Sequence, residues 1–232
     1  MHMNPIRDDR VCDTGAMDTQ HRSEAAAPAN ARTLARARDL LAAGRLVAMP
    51  TDTVYGLAAD ATSDAAVAAL YDAKGRPRDN PLIALAGTLE AAEKLVLFDA
   101  DARCLARRFW PGPLSLVLPR RPDCPVSQLA SAGLATLAVR VPGHSVVLDI
   151  LGATGFPLVV PSANLSGAAS PRRAEQVVGQ LGDRIPLVID GGRSPAGLES
   201  TLVRCAPGGP VILREGAIGA GDIKAALGHS KR

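Results

Sequence analysis

The chain has few cysteine and histidine residues, which are the usual ligands of a zinc ion. Its 232 residues include four cysteines, Cys12, Cys104, Cys124 and Cys205, and no two of them form a CxxC pair. No histidine stands at metal-ligand spacing from any of them. These spacings argue against a zinc site and, in a chain of this length, equally against a disulfide framework. We therefore expect reduced thiols and a cytoplasmic protein.

Long apolar runs and the common nucleotide-binding motifs are also missing. No apolar segment approaches the roughly 20 residues that span a bilayer, and the N-terminus has no apolar signal core. No contact with membranes is expected. The patterns GxxxxGK[ST], GxGxxG and GxSxG do not occur, which argues against a P-loop, a Rossmann site and a hydrolase elbow. An enzyme of this sequence would rely on positioning and charge neutralisation rather than on a covalent nucleophile.

Aromatic residues make up only 3% of the chain, whereas 47% of it is hydrophobic. The core must therefore consist of Ala, Val and Leu. The net charge of +3 comes largely from scattered arginines and does not by itself indicate nucleic acid binding. Residues 1–30 are polar and aperiodic and are predicted to be a disordered leader. Residues 31–232 are predicted to form one domain.

Helical patterns alternate with short apolar runs through the predicted domain. This alternation predicts an α/β (α+β) fold with a mixed, twisted, open sheet and helices packed on it. Strand order does not follow from the pattern. The predicted helices cover 34–41, 63–71, 88–95, 101–109, 146–151, 174–181 and 218–227, and the predicted strands 46–49, 82–85, 114–118, 136–141, 158–160, 187–190, 201–203 and 211–213.

The string PTDTVYGL, residues 50–57, directly follows a predicted strand. A turn with local side-chain-to-backbone bonds would explain Asp52 and Gly56. It would not explain why two threonines and a tyrosine gather at the end of a buried strand. The sequence therefore leaves two interpretations of Thr53 and its neighbours equally open, a turn and a binding site.

A second segment carries the cations Lys74, Arg76 and Arg78 at the end of a predicted helix. Cations complement the helix dipole there, so a solvated basic helix end is one interpretation. However, Pro77 and Pro81 stiffen the backbone and would present the cations from a fixed loop. Lys supplies a point charge and Arg a planar fork, and the two together suit a polyphosphate.

Small polar residues follow the predicted strand 158–160. Ser162 and Asn164 could belong to a turn with Asx-type bonds, or could contact a ligand at the strand end, and Ser170 could add a hydroxyl. Arg140 lies in an apolar run and is either an edge residue facing water or the partner of a carboxylate in a cavity. Arg214 poses the same question.

Taken together, these segments resemble the YrdC-type L-threonylcarbamoyladenylate synthase family. The resemblance covers roughly residues 35–220, and by its length the chain resembles the short, single-domain form of the family. It rests on PTDTVYGL, AKGRPRDNPL, WPGPLSLVL, LAVRVPGH, PSANLSG, ESTL and ILREGAI, which occur in this order.

The resemblance implies a fold with a deep basic cavity, and a reaction. L-threonine, bicarbonate and ATP, with Mg²⁺, would give threonylcarbamoyl-AMP and pyrophosphate, and tRNA threonylcarbamoyl-transfer proteins would use the product to modify adenosine at tRNA position 37. It implies that Thr53, Arg140 and Ser200 bind threonine. Lys74 and Arg76 would be catalytic cations on the phosphates, and the other implied nucleotide contacts are Asn80, Thr136, Ser162, Asn164, Ser170 and Arg214. No protein side chain is predicted to hold a resident metal.

The sequence departs from the family pattern at Leu85, where the family often has a His that approaches the threonine. Leucine cannot form a hydrogen bond. An alternative function is a YrdC-like paralogue that binds RNA weakly in the same cavity and has no synthase activity. The sequence lacks the interleaved aromatic residues of a base-stacking platform, which weighs against this alternative.

Overall fold

The computed structural model of the protein describes residues 26–229 and shows, within them, a mixed sheet of eight strands and a separate pair of strands. This arrangement confirms the predicted α/β class. The strands are β1 (Ala27–Pro28), β2 (Val47–Met49), β3 (Gly56–Asp60), β4 (Ile83–Leu85), β5 (Leu114–Pro119), β6 (Thr136–Arg140), β7 (Leu158–Val159), β8 (Ile189–Asp190), β9 (Thr201–Arg204) and β10 (Val211–Arg214).

The large sheet has the order β10-β9-β5-β6-β4-β7-β3-β2. The pairs β5·β9 and β4·β6 are parallel, and the other neighbours are antiparallel. The sheet is therefore mixed and open, with β10 and β2 at its edges. β1 and β8 form the separate parallel pair.

Helices cover both faces of the sheet. They are α1 (Ala31–Ala42), α2 (Asp64–Lys74), α3 (Leu89–Glu93), α4 (Ala100–Phe109), α5 (Ser145–Thr154), α6 (Ala174–Leu181) and α7 (Ala220–His229), with a short 3₁₀ turn at Gly182–Arg184. One hydrophobic cluster joins the sheet to α2, α4, α6 and α7, and a second joins it to α1 and α5. No helix within residues 26–229 combines the length and the apolar character needed to cross a membrane.

The alternation of side chains along β6 shows where helices leave the sheet uncovered. Leu137 and Val139 belong to the larger cluster, whereas Thr136, Ala138 and Arg140 point to the opposite face, because successive strand residues alternate. Helices α1 and α5 cover only the β4-β7-β3-β2 side of that face. The remainder, over β9, β5 and β6, is open and forms the floor of a cavity.

The described chain begins earlier than the predicted domain boundary at residue 31. Ala27–Pro28 pairs with Ile189–Asp190, and Asn30 caps α1 by accepting a hydrogen bond from the Thr33 amide. Residues 26–30 therefore belong to the fold rather than to a disordered leader. Residues 1–25 of the predicted leader lie outside the described residues.

The sequence does not predict strand β3, because residues 50–57 are typical of a turn or a binding segment and the next two residues are alanines. Gly and Ala have low strand propensity, so Gly56–Asp60 carries little local signal. Its pairing with β2 and β7 places it between two strands with buried apolar side chains. Tertiary contacts therefore form this strand despite its sequence.

Candidate active site

The uncovered face of the sheet carries a cavity of about 440 Å³. Most of the predicted site residues line it. They are Thr53, Arg76, Asn80, Thr136, Arg140, Ser162, Ser200 and Arg214. Further lining residues include Thr51, Leu85, Leu134, Glu199, Arg204 and Leu213. The lining residues include four arginines and one glutamate. The deep basic cavity that the resemblance implies stays a prediction.

One end of the cavity is built by the turn after β2. The Thr51 hydroxyl donates to the Val54 carbonyl at 2.7 Å and lies 2.8 Å from the Thr53 hydroxyl. Both threonines are buried, with 3% exposure, yet line the cavity. The turn that sequence reasoning left open is therefore present, and the same hydroxyls that close it lie at the cavity wall.

Arg140 is held at this end by three protein groups. Its Nε donates to the Gly112 carbonyl at 2.9 Å, its Nη1 donates to Thr53 Oγ1 at 3.2 Å, and its Nη2 forms an ion pair with Asp52. Burial lowers the pKa of Arg140, and the Asp52 carboxylate opposes this shift. Because β6 is a central strand, Arg140 is the carboxylate-paired cation in a cavity and not an edge residue.

Leu85 lies beside Arg140, since the two residues are paired in the β4·β6 register. Its side chain lines the cavity. The wall next to the Arg140 guanidinium is therefore apolar at this position and contributes no hydrogen bond.

The loop after α2 forms another wall. Arg76 donates from Nη2 to Asn80 Oδ1 at 2.6 Å and to the Pro81 carbonyl at 2.9 Å, and from Nε to the Asn80 carbonyl at 3.1 Å. The Asn80 and Pro81 groups fix the guanidinium against the loop. Arg78 instead pairs with Asp72 at 2.9 Å on the surface and does not line the cavity. Only one of the two arginines that follow Lys74 thus faces the site.

Glu199, Ser200 and Arg214 form the facing wall. Arg214 is ion-paired with Glu199 and donates from Nη2 to the Ser200 carbonyl at 3.0 Å and hydroxyl at 3.3 Å. Ser170 donates to Glu199 Oε1 at 3.2 Å. Ser170 itself does not line the cavity, so Glu199 connects it to the site.

Lys74 is placed differently from its predicted neighbour Arg76. It is 2% exposed and does not line the cavity. Its ammonium donates to the carbonyls of Ser162 and of Asn164, the latter at 2.6 Å. In this arrangement Lys74 ties α2 to the loop after β7. Its predicted contact with phosphates stays a prediction.

Burial, together with the smaller effect of the Arg76 charge, lowers the pKa of Lys74 to about 8, and Glu199 opposes the shift. Between pH 8 and the ordinary value of 10.5, the unfolded chain binds a proton at Lys74 that the folded chain has lost. Stability contributed by this group therefore rises with pH across that window, by at most about 1.4 kcal/mol per pH unit.

We expect the free energy of unfolding of the wild-type protein, relative to Lys74→Met, to increase from pH 8 to pH 10.5. Chemical denaturation of both proteins across this range measures the difference. Lys94→Met, at an exposed position after α3, is the control for removing a lysine charge from the surface. Parallel curves for Lys74→Met and wild type would contradict the lowered pKa.

Asn164 also lies behind the cavity wall. Its Nδ2 donates to the carbonyls of Leu165 at 2.8 Å and of Ala168 at 2.7 Å, as expected for a side chain that closes a turn. Ser162, two residues earlier, lines the cavity. Asn164 thus closes a turn, whereas Ser162 lies at the cavity wall, where its contact with a ligand stays a prediction. A nucleotide contact for Asn164 or Ser170 remains a prediction.

The sequence patterns do not predict Asp52, Glu199 or Arg204 as site residues. A turn accounts for Asp52, and Glu199 stands out only as part of the ESTL string. The sequence contains a usable signal for Asp52, because a buried arginine at Arg140 requires a carboxylate partner. Arg204 carries no such signal, since it is the last residue of β9 and one of many scattered arginines in the sequence.

The chain is similar to known proteins over most of its length. The family model for Sua5, YciO and YrdC proteins, described as telomere recombination, matches residues 39–216. Threonylcarbamoyl-AMP synthase of Bacillus subtilis is 45% identical over 84% of this chain and 56% of the relative. The chain thus spans about half the length of that relative. A putative threonylcarbamoyl-AMP synthase of Mycobacterium tuberculosis is 42% identical over 85% of this chain and 90% of the relative.

Solved structures agree with these matches. Pyrococcus abyssi Sua5 complexed with L-threonine superposes with a TM-score of 0.81 and 41% identity, over 84% of this chain and 57% of that chain. Escherichia coli YciO has a TM-score of 0.75 at 22% identity, over 85% of this chain and 96% of that chain, and supports the fold alone. The family model and the relatives confirm the resemblance seen in the sequence motifs: this chain belongs to the Sua5/YciO/YrdC family.

Proposed function

We propose that this protein is a threonylcarbamoyl-AMP synthase, which forms threonylcarbamoyl-AMP and pyrophosphate from L-threonine, bicarbonate and ATP. The names of its relatives support the activity. The main structural support is that one cavity has two different ends. Hydroxyls and a fixed guanidinium at Thr53 and Arg140 suit an amino acid, and Arg76 and Arg214 on the other walls suit phosphates.

The protein's contribution to such a reaction would be alignment and charge neutralisation. Threonine nitrogen bonds to the bicarbonate carbon with loss of water, a carbamate oxygen bonds to the α-phosphorus, and the bond to the pyrophosphate oxygen breaks. Arg140 would hold the threonine carboxylate end-on through Nη1 and Nη2, because its Nε already donates to Gly112. Arg76 and Arg214 would neutralise charge on the leaving pyrophosphate.

The remaining predicted contacts are part of the same proposal. Ser200 would add a hydroxyl to the amino acid. Asn80, Thr136 and Ser162 line the cavity and would contact the nucleotide, with Lys74, Asn164 and Ser170 behind them.

Mg²⁺ would enter with ATP as part of the substrate and would neutralise phosphate charge. No cluster of three or more His, Cys, Asp or Glu residues capable of holding an ion lies within residues 26–229. Phosphate oxygens would therefore supply most ligands, as is usual for Mg²⁺ bound with nucleotides. Glu199, the one carboxylate among the cavity-lining residues, fits this chemistry as an additional ligand.

We further propose that the product passes to tRNA threonylcarbamoyl-transfer proteins, which modify adenosine at position 37. The product is a mixed anhydride of a carbamate and AMP, so a protein that accepts an activated acyl group must consume it. We propose a cytoplasmic location, which the free thiols of Cys104, Cys124 and Cys205 support.

The test is pyrophosphate release from ATP by the purified chain. We expect release that requires both L-threonine and bicarbonate, with threonylcarbamoyl-AMP detected by mass spectrometry. Omitting either substrate is the matched control. Release that is equal with and without threonine, from protein with a cooperative melting transition, would contradict the proposal. RNA binding that ATP does not displace would favour the RNA-binding alternative.

A further inference from the structure

We propose that Thr51 is a positioning residue that fixes Thr53 as a hydrogen-bond acceptor. This wall then favours an amino acid that presents a hydrogen-bond donor to Thr53. The donor is either the amine N–H or the side-chain O–H of the ligand. The proposal rests on the proposed function, because it concerns the amino acid end of the same cavity. It follows from the order of protons along one buried chain of hydrogen bonds.

The chain of hydrogen bonds begins at Val54, whose carbonyl oxygen can only accept a hydrogen bond. The Thr51 hydroxyl lies 2.7 Å from it and must therefore donate its single proton to Val54. Thr51 Oγ1 also accepts from the Thr53 amide at 3.1 Å. Because its one hydroxyl proton is already donated to Val54, Thr51 can take part in the 2.8 Å contact with Thr53 Oγ1 only as the acceptor. Its donor and both of its lone pairs are then used.

The Thr53 hydroxyl must consequently donate to Thr51. On its other side it accepts from Arg140 Nη1 at 3.2 Å, and a guanidinium can only donate. Thr53 Oγ1 then has one lone pair that can still accept a hydrogen bond, and it has no proton left to donate. Thr53 lines the cavity, so a ligand that reaches its Oγ1 meets an acceptor, although a free threonine hydroxyl could offer either polarity.

The Arg140 guanidinium is held in turn by Asp52 and Gly112, so neither neighbour of Thr53 can reverse its polarity. A site with a fixed, buried acceptor penalises ligands that place an acceptor or a methyl group there, since the lone pair would lose its partner. Thr51 therefore acts on specificity through Thr53, without a hydrogen bond of its own left for the ligand.

Calorimetric titration of L-threonine into the full chain tests the proposal with three variants. Thr53→Val removes the acceptor and should weaken binding about tenfold. Thr51→Val leaves the Thr53 hydroxyl but frees its proton to turn into the cavity, and should weaken binding about fivefold. Thr51→Ser keeps the hydroxyl and should bind like wild type. Melting curves show whether each variant is folded, and Thr53→Val carries the test if Thr51→Val is not.

Two analogues identify the donor. L-2-aminobutyrate lacks the side-chain hydroxyl, and 3-hydroxybutyrate lacks the amine. If Thr53→Val weakens threonine binding but not aminobutyrate binding, the hydroxyl is the donor, and the corresponding result with hydroxybutyrate identifies the amine. Equal losses for threonine and both analogues would reveal a merely structural effect and overturn the proposal.

Two further outcomes separate this proposal from the proposed function. Wild-type protein that binds threonine, with Thr51→Val binding it as tightly as Thr51→Ser, would overturn the role of Thr51 and leave the synthase function standing. Wild-type protein that binds no threonine, with or without ATP, would overturn both.

Discussion

Arg140→Ala is expected to weaken L-threonine binding by about 30- to 1,000-fold, equivalent to roughly 2–4 kcal/mol, and to destabilise the fold by about 3–5 kcal/mol. Both effects arise because the Arg140 and Asp52 side chains are only 7% and 11% exposed. Removing the cation leaves the Asp52 carboxylate buried without its ion-pair partner, and Asp52 Oδ2 already lacks a hydrogen bond. Calorimetry measures the first effect and chemical denaturation the second.

A double variant separates binding from stability. Asp52→Asn combined with Arg140→Met removes both charges, so we expect most of the lost stability to return, because replacing a buried ion pair is often nearly neutral. Threonine binding should not return, since the guanidinium is still absent. Arg78→Ala, which breaks the exposed pair with Asp72, is the control and should cost less than about 1 kcal/mol.

Two results would contradict the prediction for Arg140. Threonine affinity within a factor of three of wild type would show that the carboxylate is bound elsewhere. A single variant as stable as the double variant would show that Asp52 does not depend on Arg140 for its charge compensation.

Local signals in the sequence predict the regular elements of the fold well. Helix α6 has the predicted bounds, Ala174–Leu181, and Ser63 caps α2 as one of the two predicted alternatives. These signals are capping side chains and helical periodicity, which act over a few residues. Strand β3 and the pairing of Ala27–Pro28 have no such signal, because they form through contacts with distant strands.

The same distinction applies to the site. Motif order predicts that Thr53, Arg140 and Arg214 lie together, and all three line one cavity. It does not predict that Lys74 would lie behind the wall, because this depends on how the carbonyls of the loop after β7 face α2. Spacing along the chain specifies which residue types are available, whereas side-chain direction depends on packing.

Gly216→Ala is expected to disrupt the facing wall of the cavity. A Cβ at Gly216 would lie 2.2 Å from the Glu199 carbonyl oxygen and 2.8 Å from the Ser200 carbonyl carbon. Both are backbone atoms, so the segment after β10 must move away from β9. The same segment is tied down by Thr201 Oγ1, which accepts from the amides of Gly216 at 3.0 Å and Ile218 at 2.9 Å.

Moving this segment would separate Arg214 from the Ser200 carbonyl and from Glu199, the contacts that hold its guanidinium at the cavity. We therefore expect a loss of about 3 kcal/mol in stability and at least tenfold weaker ATP binding, measured by denaturation and calorimetry. Gly152→Ala in α5 is the matched control, because its added Cβ would meet nothing within 4 Å beyond its chain neighbours and the backbone of its own helix, and it should stabilise the protein by about 0.5–1 kcal/mol. If both substitutions leave ATP affinity unchanged, the close approach at Gly216 does not position Arg214 for the nucleotide.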